Sequence, residues 1–560
     1  MSFDIKKHKN ELIFIPLGGA GEIGMNVNLY QYQGKWLIAD LGAGFTDDHF
    51  PGVDLMVAEI NYISKQRENL LGIVLTHAHE DHLGAVQYLW GELRCPIYAT
   101  KFTANFLKAK LKETPFAKEV NIIEIEERSH INIGPFAIET IPLTHSTPEM
   151  QALMIRTDIG NVFHTGDWKF DPDPLVGYAN DHDLLSKLGD EGVLALIGDS
   201  TNVFNDTHSG SEGELRKSII ALVAGCKKMV VVTTFASNVA RIETILKAAE
   251  ASGCKIVMAG RSLWRILEAA QASGYLLDLP QVYRPEEIGK MKREKILVIS
   301  TGCQGEPMAA TTKMANKTHP HLSLAPGDTI IFSSKIIPGN EKKIFKLLNQ
   351  LVSQEVEVLT EKDHFVHVSG HPSQAELKKM YELIRPQVAI PVHGELMHMH
   401  EHAKLAKQWG VPEAVQVLNG DVVRLAPGKT AVIDKVESGY LGIDGNFLLP
   451  SNSSILKMRR RMQESGIVFI VLMLNDRNQM IIPPVIKAPG VLDMEEDKVI
   501  LAKMAKEVNK ALETLMDTGF NKKQRSDVVE NVVRTALRKV LKHEVGKSPA
   551  IDVELVYLPR

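Results

Sequence analysis

The stretch that decides the fold is LLGIVLTHAHEDH at residues 70–82. Its first half is an apolar, β-branched run that predicts a buried strand, and its second half holds His77, His79, Asp81 and His82. Alternation along an extended chain puts His77 and His79 on one side, whereas Asp81 and His82 come where the chain turns into a helix and can face a second ion. Zinc accepts neutral imidazole nitrogen and carboxylate oxygen. The stretch therefore predicts a metal centre rather than a polar turn.

The sequence around this stretch repeats one unit, a short β-branched run that ends in a polar residue and leads into a loop or helix. The runs are 11–16, 36–40, 70–76, 136–145, 160–167 and 192–199. Helical patterns at 83–93 and 101–112 lie between them. This alternation predicts an α/β region that carries its functional residues at strand ends.

The character of the chain changes from about residue 205 to about residue 360. Helical patterns at 211–224, at 238–252 and from 262 alternate with strand patterns at 229–235 and 255–258. Such alternation predicts a second, doubly wound α/β unit. Because His371 and His393 resume the strand-end pattern, the second unit is predicted to be inserted into the first.

The last hundred residues have the pattern of a small, separate α+β domain. Strands are predicted at 466–474, 479–486 and 551–557, and helices at 498–516 and 522–542. The first helix carries apolar residues at helical spacing, and the simplest interpretation is packing onto its own sheet. We predict a first domain in two parts, at 1–204 and 366–445, with an insertion at 205–365 between them. A linker at 446–462 and a C-terminal domain at 463–560 follow.

Composition sets the limits on function. The chain has 560 residues, 44% of them hydrophobic and 24% charged, which is ordinary for a globular protein of several domains. No apolar run predicts a membrane span, and the N-terminus lacks the apolar region of a signal peptide. Four scattered cysteines predict a reducing cytoplasm and exclude a thiolate zinc site. With a net charge of −4, binding of nucleic acid would need a local basic groove or a metal.

The segment Gly19–Gly24 matches the GxGxxG pattern of dinucleotide-binding proteins. Asp40 follows it at the sequence distance at which such proteins carry the carboxylate that binds the ribose. That pattern needs a helix after the glycines, so that the helix N-terminus faces the pyrophosphate. Residues 25–33 instead alternate like one arm of a hairpin that turns at Gly34. We therefore predict a tight connection between strands, not a cofactor site.

The HxHxDH pattern of residues 77–82 resembles the signature of the metallo-β-lactamase fold, a four-layer αββα sandwich with a dinuclear site. The remaining motifs of that family match Asp40 in WLIAD, His145 in LTHS, Asp167 in HTGDWKFD and His393 in IPVHGE. The inserted unit is similar to that of the β-CASP nucleases, and specifically of the bacterial ribonuclease J family. The segments that carry this similarity are GDSTN at 198–202, VTTFASNVARI at 232–242, TGCQGEPMAA at 301–310, PGNE at 338–341 and HVSGH at 367–371.

The resemblance implies a metallo-β-lactamase sandwich with an inserted β-CASP α/β domain and a small C-terminal α+β domain. It implies two divalent ions, zinc with manganese as the alternative, one held by His77, His79 and His145. The other is held by Asp81, His82 and His393, with Asp167 bridging and Asp40 fixing a ligand from behind. A hydroxide held between the ions would attack a phosphodiester. By the same resemblance His371 is the candidate general acid, and Asp199 is the carboxylate that orients it.

The resemblance also implies a pocket for the RNA backbone or a 5′-monophosphate, formed by Ser237, Asn238, Arg241, His367, Ser369, Gly370 and His371. Alternatives remain open at several of these positions. Asp40 could cap a loop, Asp199 could cap a helix, Arg241 could form a surface salt bridge, and His367 could buttress its loop. His164 is interpreted as a buried strand histidine, and His398, His400 and His402 as a solvated face or local packing.

The resulting hypothesis is a cytoplasmic ribonuclease acting 5′→3′ on single-stranded RNA, with endonuclease activity, in rRNA maturation and mRNA decay. A homodimer or homotetramer is expected by the same resemblance. The alternatives are a β-CASP nuclease acting on DNA, a small-ester hydrolase, and an inactive RNA-binding scaffold. An insertion of about 150 residues argues against a small substrate, and the complete ligand set argues against an inactive site.

Overall fold

The structure, a computed structural model of the chain, describes residues 3–46, 50–337, 339–475, 479–518 and 525–558. The chain forms two compact units. The first comprises Met1–Gly44 and Val57–Gly439, and the second comprises Phe45–Met56 and Tyr440–Arg560. The sequence did not predict that the short segment 45–56 belongs with the C-terminal unit.

The first unit is built around two sheets. One sheet contains, in spatial order, the strands Ala431–Lys435, Asp421–Ala426, Leu12–Gly18, Val27–Tyr32, Lys35–Ala39, Leu70–Val74, Ile97–Ala99 and Ile122–Glu124. The other contains His130–Ile133, Phe136–Pro142, Gln151–Thr157, Gly160–His164, Ala195–Asp199, Val388–Val392 and Glu413–Ala414. The short strands Ala20–Gly21 and Gly394–Glu395 pair separately in parallel.

The two sheets pack face to face through a shared apolar core. Phe14, Leu37 and Val74 of the first sheet and Ile155 and Ile197 of the second belong to one buried cluster. Helices lie along the chain between the strands, at Asn61–Ser64, Glu80–Leu83, Val86–Leu93, Lys101–Leu111, His182–Asp190, Gln374–Ile384 and Leu396–Gln408, with a 3₁₀ turn at Arg67–Asn69.

The outer face of the second sheet is covered by helices. Phe163 and Leu196 of that sheet form a second buried cluster with Leu185, Leu377 and Leu405 of three different helices. A sheet that is buried on both faces needs continuous apolar strands, and Ala195–Asp199 and Val388–Val392 are buried at every position. The sandwich of sheets between helices, expected from the resemblance, is confirmed.

The inserted region forms a parallel sheet of its own. Its strands in spatial order are Val282–Tyr283, Lys255–Ala259, Ile296–Ser300, Val230–Thr233, Thr329–Phe332 and Glu357–Leu359. Its helices are Glu212–Gly225, Val239–Ala251, Arg261–Ser273, Ala310–Ala315 and Glu341–Val352, with 3₁₀ turns at Pro285–Lys290 and Arg293–Lys295. The alternation of strand and helix therefore predicted a parallel sheet correctly, although the domain boundaries at 205 and 365 stay predictions.

The remaining strands form two small sheets, and the second unit contains three helices within the described part of the chain. One sheet orders Phe447–Pro450, Tyr440–Asp444, Leu55–Ala58 and Ala43–Phe45, and the other orders Val485–Lys487, Ile467–Leu474 and Ala550–Tyr557. The helices are Ser454–Ser465, Lys498–Thr518 and Arg525–Glu544. Met504, Val508 and Leu512 of the middle helix are buried against the second sheet and the last helix, as their spacing predicted.

Two expectations from the sequence need correction here. The segment 446–462, predicted to be a linker, contains the strand Phe447–Pro450 and most of the helix Ser454–Ser465. The helix is held by Ser453, whose hydroxyl accepts a hydrogen bond from the Leu456 amide, so polar residues that suggested a loop act as a helix cap. The strand predicted at 479–486 is confined to Val485–Lys487.

The glycine-rich segment 19–24 is a strand connection, as predicted. The strand Val27–Tyr32 that follows it pairs antiparallel with Lys35–Ala39, so no helix is available to face a pyrophosphate at this place. Among the residues that the structure describes, no helix is both long and apolar enough to cross a lipid bilayer.

Candidate metal centre

The predicted ligands converge because they follow neighbouring strands of the two packed sheets. Asp40 follows Lys35–Ala39, the segment 76–82 follows Leu70–Val74, and Asp199 ends its strand. His145, Asp167 and His393 follow Phe136–Pro142, Gly160–His164 and Val388–Val392. All of these side chains meet at one end of the sandwich, as the strand-end pattern predicted.

The first group of converging side chains is His77, His79, His145 and Asp167, whose potential ligand atoms lie within 4.8 Å of one another. His77 Nε2 is 3.1 Å and His145 Nε2 is 3.0 Å from His79 Nδ1. His145 Nδ1 donates to the Gly370 carbonyl at 2.6 Å, so its Nε2 carries a lone pair that points into the group. Lone pairs brought together in this way are the donor set that a cation satisfies.

The protonation of the three histidines suits the same purpose. Burial lowers the pKa of His77 and of His145 well below the usual range, and it lowers the pKa of His79 to about 4. The mutual proximity of the imidazoles adds to the lowering at His77 and His145. All three are therefore neutral near pH 7, the state in which imidazole binds a metal.

The second group is Asp81, His82, Asp167 and His393, again with ligand atoms within 4.8 Å of one another. His393 Nε2 is 3.2 Å from Asp81 Oδ2, and His82 Nε2 is 3.1 Å from Asp167 Oδ2. Burial would lower the pKa of His393, but Asp167, Asp199 and Asp81 outweigh it and raise that pKa to about 10. Asp167 belongs to both groups, which is the position expected of a bridging ligand.

Asp167 also provides a test of whether the site fits metal ions. Its Oδ1 atom is buried and makes no hydrogen bond among the described residues, although His393 Nδ1 lies 3.4 Å from it. Burial would raise the pKa of Asp167, but His393 and His82 hold it down at about 2, so the carboxylate stays charged. A buried, charged oxygen without a donor is costly unless a cation satisfies it. The chemistry of the donor set therefore fits divalent ions.

Asp40 lies directly behind these ligands. Its Oδ2 accepts a hydrogen bond from His82 Nδ1 at 2.7 Å, and its Oδ1 accepts one from the Thr76 amide at 2.8 Å. The contact with His82 turns the Nε2 atom of that ring towards the ligand group, as carboxylates behind metal-bound histidines do. Asp40 adopts a left-handed backbone with a φ of 65°, so its strand end is bent specifically to make these contacts.

Several supporting residues were not predicted. Asn26 Nδ2 lies 3.0 Å from His82 Nε2 and donates to the Asp81 carbonyl. Thr201 Oγ1 lies 2.7 Å from His393 Nδ1, and it is the fourth residue of the GDSTN segment. A Cβ on Gly42 would come 1.7 Å from the Asp81 carbonyl oxygen, so only glycine fits there. The only sequence signal was the position of Thr201 within a recognised motif.

His371 and Asp199 form a pair beside the two ligand groups. His371 Nδ1 is 2.8 Å from Asp199 Oδ2, and its ring centroid is 5.3 Å from that of His145. Burial would lower the pKa of His371, but the Asp199 carboxylate outweighs it and raises that pKa. Asp199 also accepts a hydrogen bond from the Thr201 amide, so it orients His371 and caps a turn at the same time.

The loop that carries His371 is held by hydrogen bonds within the protein, one of which reaches His145 of the first ligand group. The Ser369 amide donates to the Ser209 carbonyl, and the His371 amide donates to Ser369 Oγ at 3.0 Å. The backbone amides of Ser369 and His371 therefore already donate within the protein. The Gly370 carbonyl holds His145, as described above.

Gly370 yields a first testable prediction. A Cβ at this position would lie 2.8 Å from His145 Cε1 and 3.0 Å from His145 Nδ1, so Gly370→Ala must displace that ring. We expect the variant to retain less metal and to hydrolyse RNA at least ~10-fold more slowly, because small displacements at a reacting centre are costly. Metal content and single-turnover rates test this. Gly225→Ala is the control, because its Cβ meets nothing within 4 Å; equal behaviour of the two variants would contradict the prediction.

Arg241 does not lie where the phosphate pocket requires it. Its guanidinium is fully buried, and its nitrogens donate to the Glu212 carboxylate, to Ser333 and to the Val366 carbonyl. A buried guanidinium whose three nitrogens all donate within the protein is not presented to a phosphate. The expected phosphate contact of Arg241 is therefore corrected, and so is the alternative of a surface salt bridge.

The other residues of the predicted pocket differ in burial, and Asn238 is buried. Ser237 is half-buried just before the helix Val239–Ala251, and Asn238 caps that helix by accepting a hydrogen bond from the Arg241 amide at 2.8 Å. His367 Nδ1 is buried and has no hydrogen-bond partner among the described residues. Burial lowers the pKa of His367, and the nearby Arg241, Lys335 and Lys169 lower it further, so this position is locally positive.

The remaining histidines divide into two kinds. His164 is buried and bonded to the Tyr30 hydroxyl at 2.9 Å, as the interpretation of a buried strand histidine predicted. His402 is fully buried between the hydroxyls of Ser200 and Tyr381, which agrees with the alternative of local packing at this position. His400 is exposed.

Four family models match this chain. They describe a beta-lactamase superfamily domain at residues 50–187, the ribonuclease J beta-CASP domain at 227–351, a Zn-dependent metallo-hydrolase RNA specificity domain at 355–415, and the ribonuclease J C-terminal domain at 454–556. The helix Ser454–Ser465 lies within the last of these matches.

Curated relatives match over almost the whole chain. The ribonuclease J of Sinorhizobium meliloti is 38% identical over 548 residues, which cover 97% of this chain and 97% of the relative. Ribonuclease J 1 of Streptococcus pyogenes serotype M3 is 33% identical over 99% of both chains. A crystal structure of a protein of unknown function from Enterococcus faecalis V583 covers 74% of this chain and 99% of its own, with a TM-score of 0.52 and 17% identity, which shows a shared fold.

Proposed function

This chain belongs to the ribonuclease J family, and from that premise we propose that it degrades single-stranded RNA from the 5′ end, with internal cleavage as a second mode. The chain is a metal-dependent ribonuclease with a metallo-β-lactamase fold and a β-CASP insertion. The observation that carries the finer proposal is Asp167, which is shared by the two ligand groups and by a third cluster that contains the His371–Asp199 pair.

The proposed metal content is two ions, most simply zinc, with manganese as the alternative because both accept histidine and carboxylate ligands. His77, His79 and His145 would hold one ion, Asp81, His82 and His393 would hold the other, and Asp167 would bridge them. When bound, such a pair of ions activates water and neutralises charge on the phosphoryl oxygens. The described residues outside these groups then have to place the substrate and supply a proton.

We assign the proton transfer to His371. Because Asp199 holds Nδ1 of the ring, Nε2 is the nitrogen from which a proton would pass to the leaving ribose oxygen. Asp199 fixes the orientation of the ring and favours its protonated form. Asp199 therefore orients the imidazole ring, and His371 donates the proton.

Ser237, Asn238, His367, Ser369 and Gly370 are proposed to hold the 5′-monophosphate or the adjoining backbone. The support is the unpaired, buried Nδ1 of His367 in a locally positive setting, together with the N-terminus of the helix Val239–Ala251. Such a pocket recognises the end of a strand by its charge and not by its sequence.

The cellular setting follows from the same resemblance. We propose that the protein acts in the cytoplasm, in rRNA maturation and mRNA decay, as a homodimer or homotetramer. The four cysteines are free thiols, which suits a reducing compartment. Light scattering of the purified protein would determine the number of subunits.

The experiment that tests the proposal uses one single-stranded RNA labelled in parallel at its 5′ and 3′ ends. We expect release of 5′-mononucleotides, fastest from RNA with a 5′-monophosphate, slower with a 5′-triphosphate and abolished by a chelator. A DNA of the same sequence should be cleaved much more slowly, because the 2′-hydroxyl distinguishes the two substrates.

The outcomes separate the parts of the proposal. Internal fragments that appear regardless of the 5′ end would support ribonuclease activity but contradict degradation in the 5′→3′ direction. Equal rates for the two 5′ ends would contradict the monophosphate pocket. Cleavage of DNA in place of RNA would overturn the choice of substrate.

A further inference from the structure

The buried guanidinium of Arg241 links three separate segments of the first unit. Its Nε and Nη2 donate to the two oxygens of Glu212 at 3.2 and 2.8 Å. Its Nη1 donates to Ser333 Oγ at 2.7 Å and lies 3.4 Å from the Val366 carbonyl. Glu212 begins a helix of the insertion, Ser333 follows the strand Thr329–Phe332, and Val366 lies just ahead of the loop that carries His371.

Ser333 makes the link to this loop stronger. Its hydroxyl donates to the Val366 carbonyl at 2.7 Å while it accepts from Arg241. Further along, Ser369 is held by the Ser209 carbonyl, and Gly370 holds His145. The loop from Val366 to His371 is thus attached to the insertion at one end and to the metal groups at the other.

The Glu212 side of the same network leads back to the metal centre. The Glu212 amide donates to Asp171 Oδ2 at 2.9 Å, and Lys169 Nζ lies 2.8 Å from the same oxygen. Lys169 and Asp171 are buried and come two and four residues after Asp167. The network therefore connects the segment after the shared metal ligand with the loop of the proposed general acid.

A buried ion pair of this kind contributes little net stability compared with apolar packing, because both charges lose their hydration. What such a pair does offer is a fixed geometry, since a guanidinium and a carboxylate meet in a planar, bidentate arrangement. Here the ion pair holds Arg241 against the Ser333 hydroxyl, which in turn donates to the Val366 carbonyl at the start of the loop 366–371.

We propose that Arg241, with Glu212 and Ser333, is a positioning residue that fixes the loop 366–371 so that His371 faces the phosphodiester. This inference rests on the proposed function, because it assigns to His371 the role of general acid. The insertion then contributes to the chemical step from within its core.

The test uses Ser333→Ala, which removes one hydroxyl from the link and leaves the Arg241–Glu212 pair in place. Arg241→Lys is the second variant, because lysine keeps the charge but cannot make the bidentate contact. Arg216→Ala is the matched control. Arg216 lies 3.2 Å from Glu243 and donates to Thr244, so it joins the same two helices without reaching the loop.

We expect Ser333→Ala to lower the single-turnover rate on saturating RNA about 10-fold or more, with the concentration for half-saturation nearly unchanged, because a displaced general acid slows the chemical step. Arg241→Lys should likewise lower the single-turnover rate and leave the concentration for half-saturation nearly unchanged. Arg216→Ala should match the wild type in both quantities. In a His371→Ala background the Ser333→Ala change should cost little more, since its effect passes through His371.

Hydrogen exchange separates this inference from the proposed function. The backbone amides of residues 367–371 should exchange faster in Ser333→Ala than in Arg216→Ala. A wild-type rate in Ser333→Ala, or the same fold-loss with and without His371, would overturn the positioning role. If the wild type and Arg216→Ala both fail to cleave RNA, the proposed function is wrong, and unchanged exchange of these amides would then reject the link as well.

Discussion

Asp81→Ala is expected to abolish RNA hydrolysis, with a loss of about 1000-fold or more, while the protein stays folded. Asp81 supplies one of the two carboxylates of the second ligand group, and its Oδ2 lies 3.2 Å from His393 Nε2. Without it one ion loses a ligand and the site loses a negative charge, and metal-ion activation is worth several kcal/mol at the transition state. The side chain is about a third exposed, so its removal leaves no cavity in the core.

Asp81 is a better choice for this test than the neighbouring ligand His82. His82 is buried and bonded to Asp40, so His82→Ala would leave a buried carboxylate without its partner and destabilise the fold. His82→Ala should also abolish hydrolysis, but with a lower free energy of unfolding. The pair of variants thus separates loss of a metal ligand from loss of stability.

Glu80→Ala is the control for Asp81→Ala, because it removes a carboxylate from the adjacent residue. Glu80 is exposed, pairs with Lys110 and belongs to neither ligand group. Metal content, thermal unfolding and RNA cleavage should be measured for both variants. Full activity of clean Asp81→Ala protein would contradict the dinuclear site, and equal losses in both variants would point to a general charge effect instead.

The convergence of the candidate ligands could be predicted from the sequence because each of these residues is placed by a local pattern. His77, His79, Asp81 and His82 lie within six residues, and the other ligands follow apolar runs that form neighbouring strands. Parallel strands of one sheet bring their carboxyl ends to the same edge, so a strand-end histidine is placed near the site by topology alone. The prediction therefore depended on patterns that act over a few residues.

What the sequence could not predict depends on contacts between distant segments. Arg241 contacts Glu212, which lies 29 residues before it in the sequence, and Val366, which lies 125 residues after it. The burial of all three residues follows from packing. His402 lies on a helix with a mixed pattern, and its burial follows from Ser200 and Tyr381 on other segments. A charge or a histidine on a helix has the same sequence signature whether it is buried or exposed.

His371→Ala is expected to lower the single-turnover rate about 100- to 10,000-fold with little change in RNA binding, because general acid catalysis contributes that much. The pair with Asp199 also sets the pH dependence. An acid must be protonated to act, so the rate falls as pH rises through the raised pKa of His371. Asp199→Asn removes the charge that raises this pKa, so the fall in rate should move to lower pH.

A modified substrate tests the role of His371 more directly than a rate alone. When sulfur replaces the bridging ribose oxygen of the leaving group, the thiolate departs without needing a proton. The His371→Ala defect should therefore shrink on that RNA, whereas the Asp81→Ala defect should persist, because metal binding is still lost. His371 forms a third cluster with Asp167, Asp199 and His393. Because it is not one of the proposed metal ligands, metal content should stay at the wild-type level in His371→Ala. An equal His371→Ala defect on both substrates would remove the general acid from His371 and leave it a role in binding the phosphate.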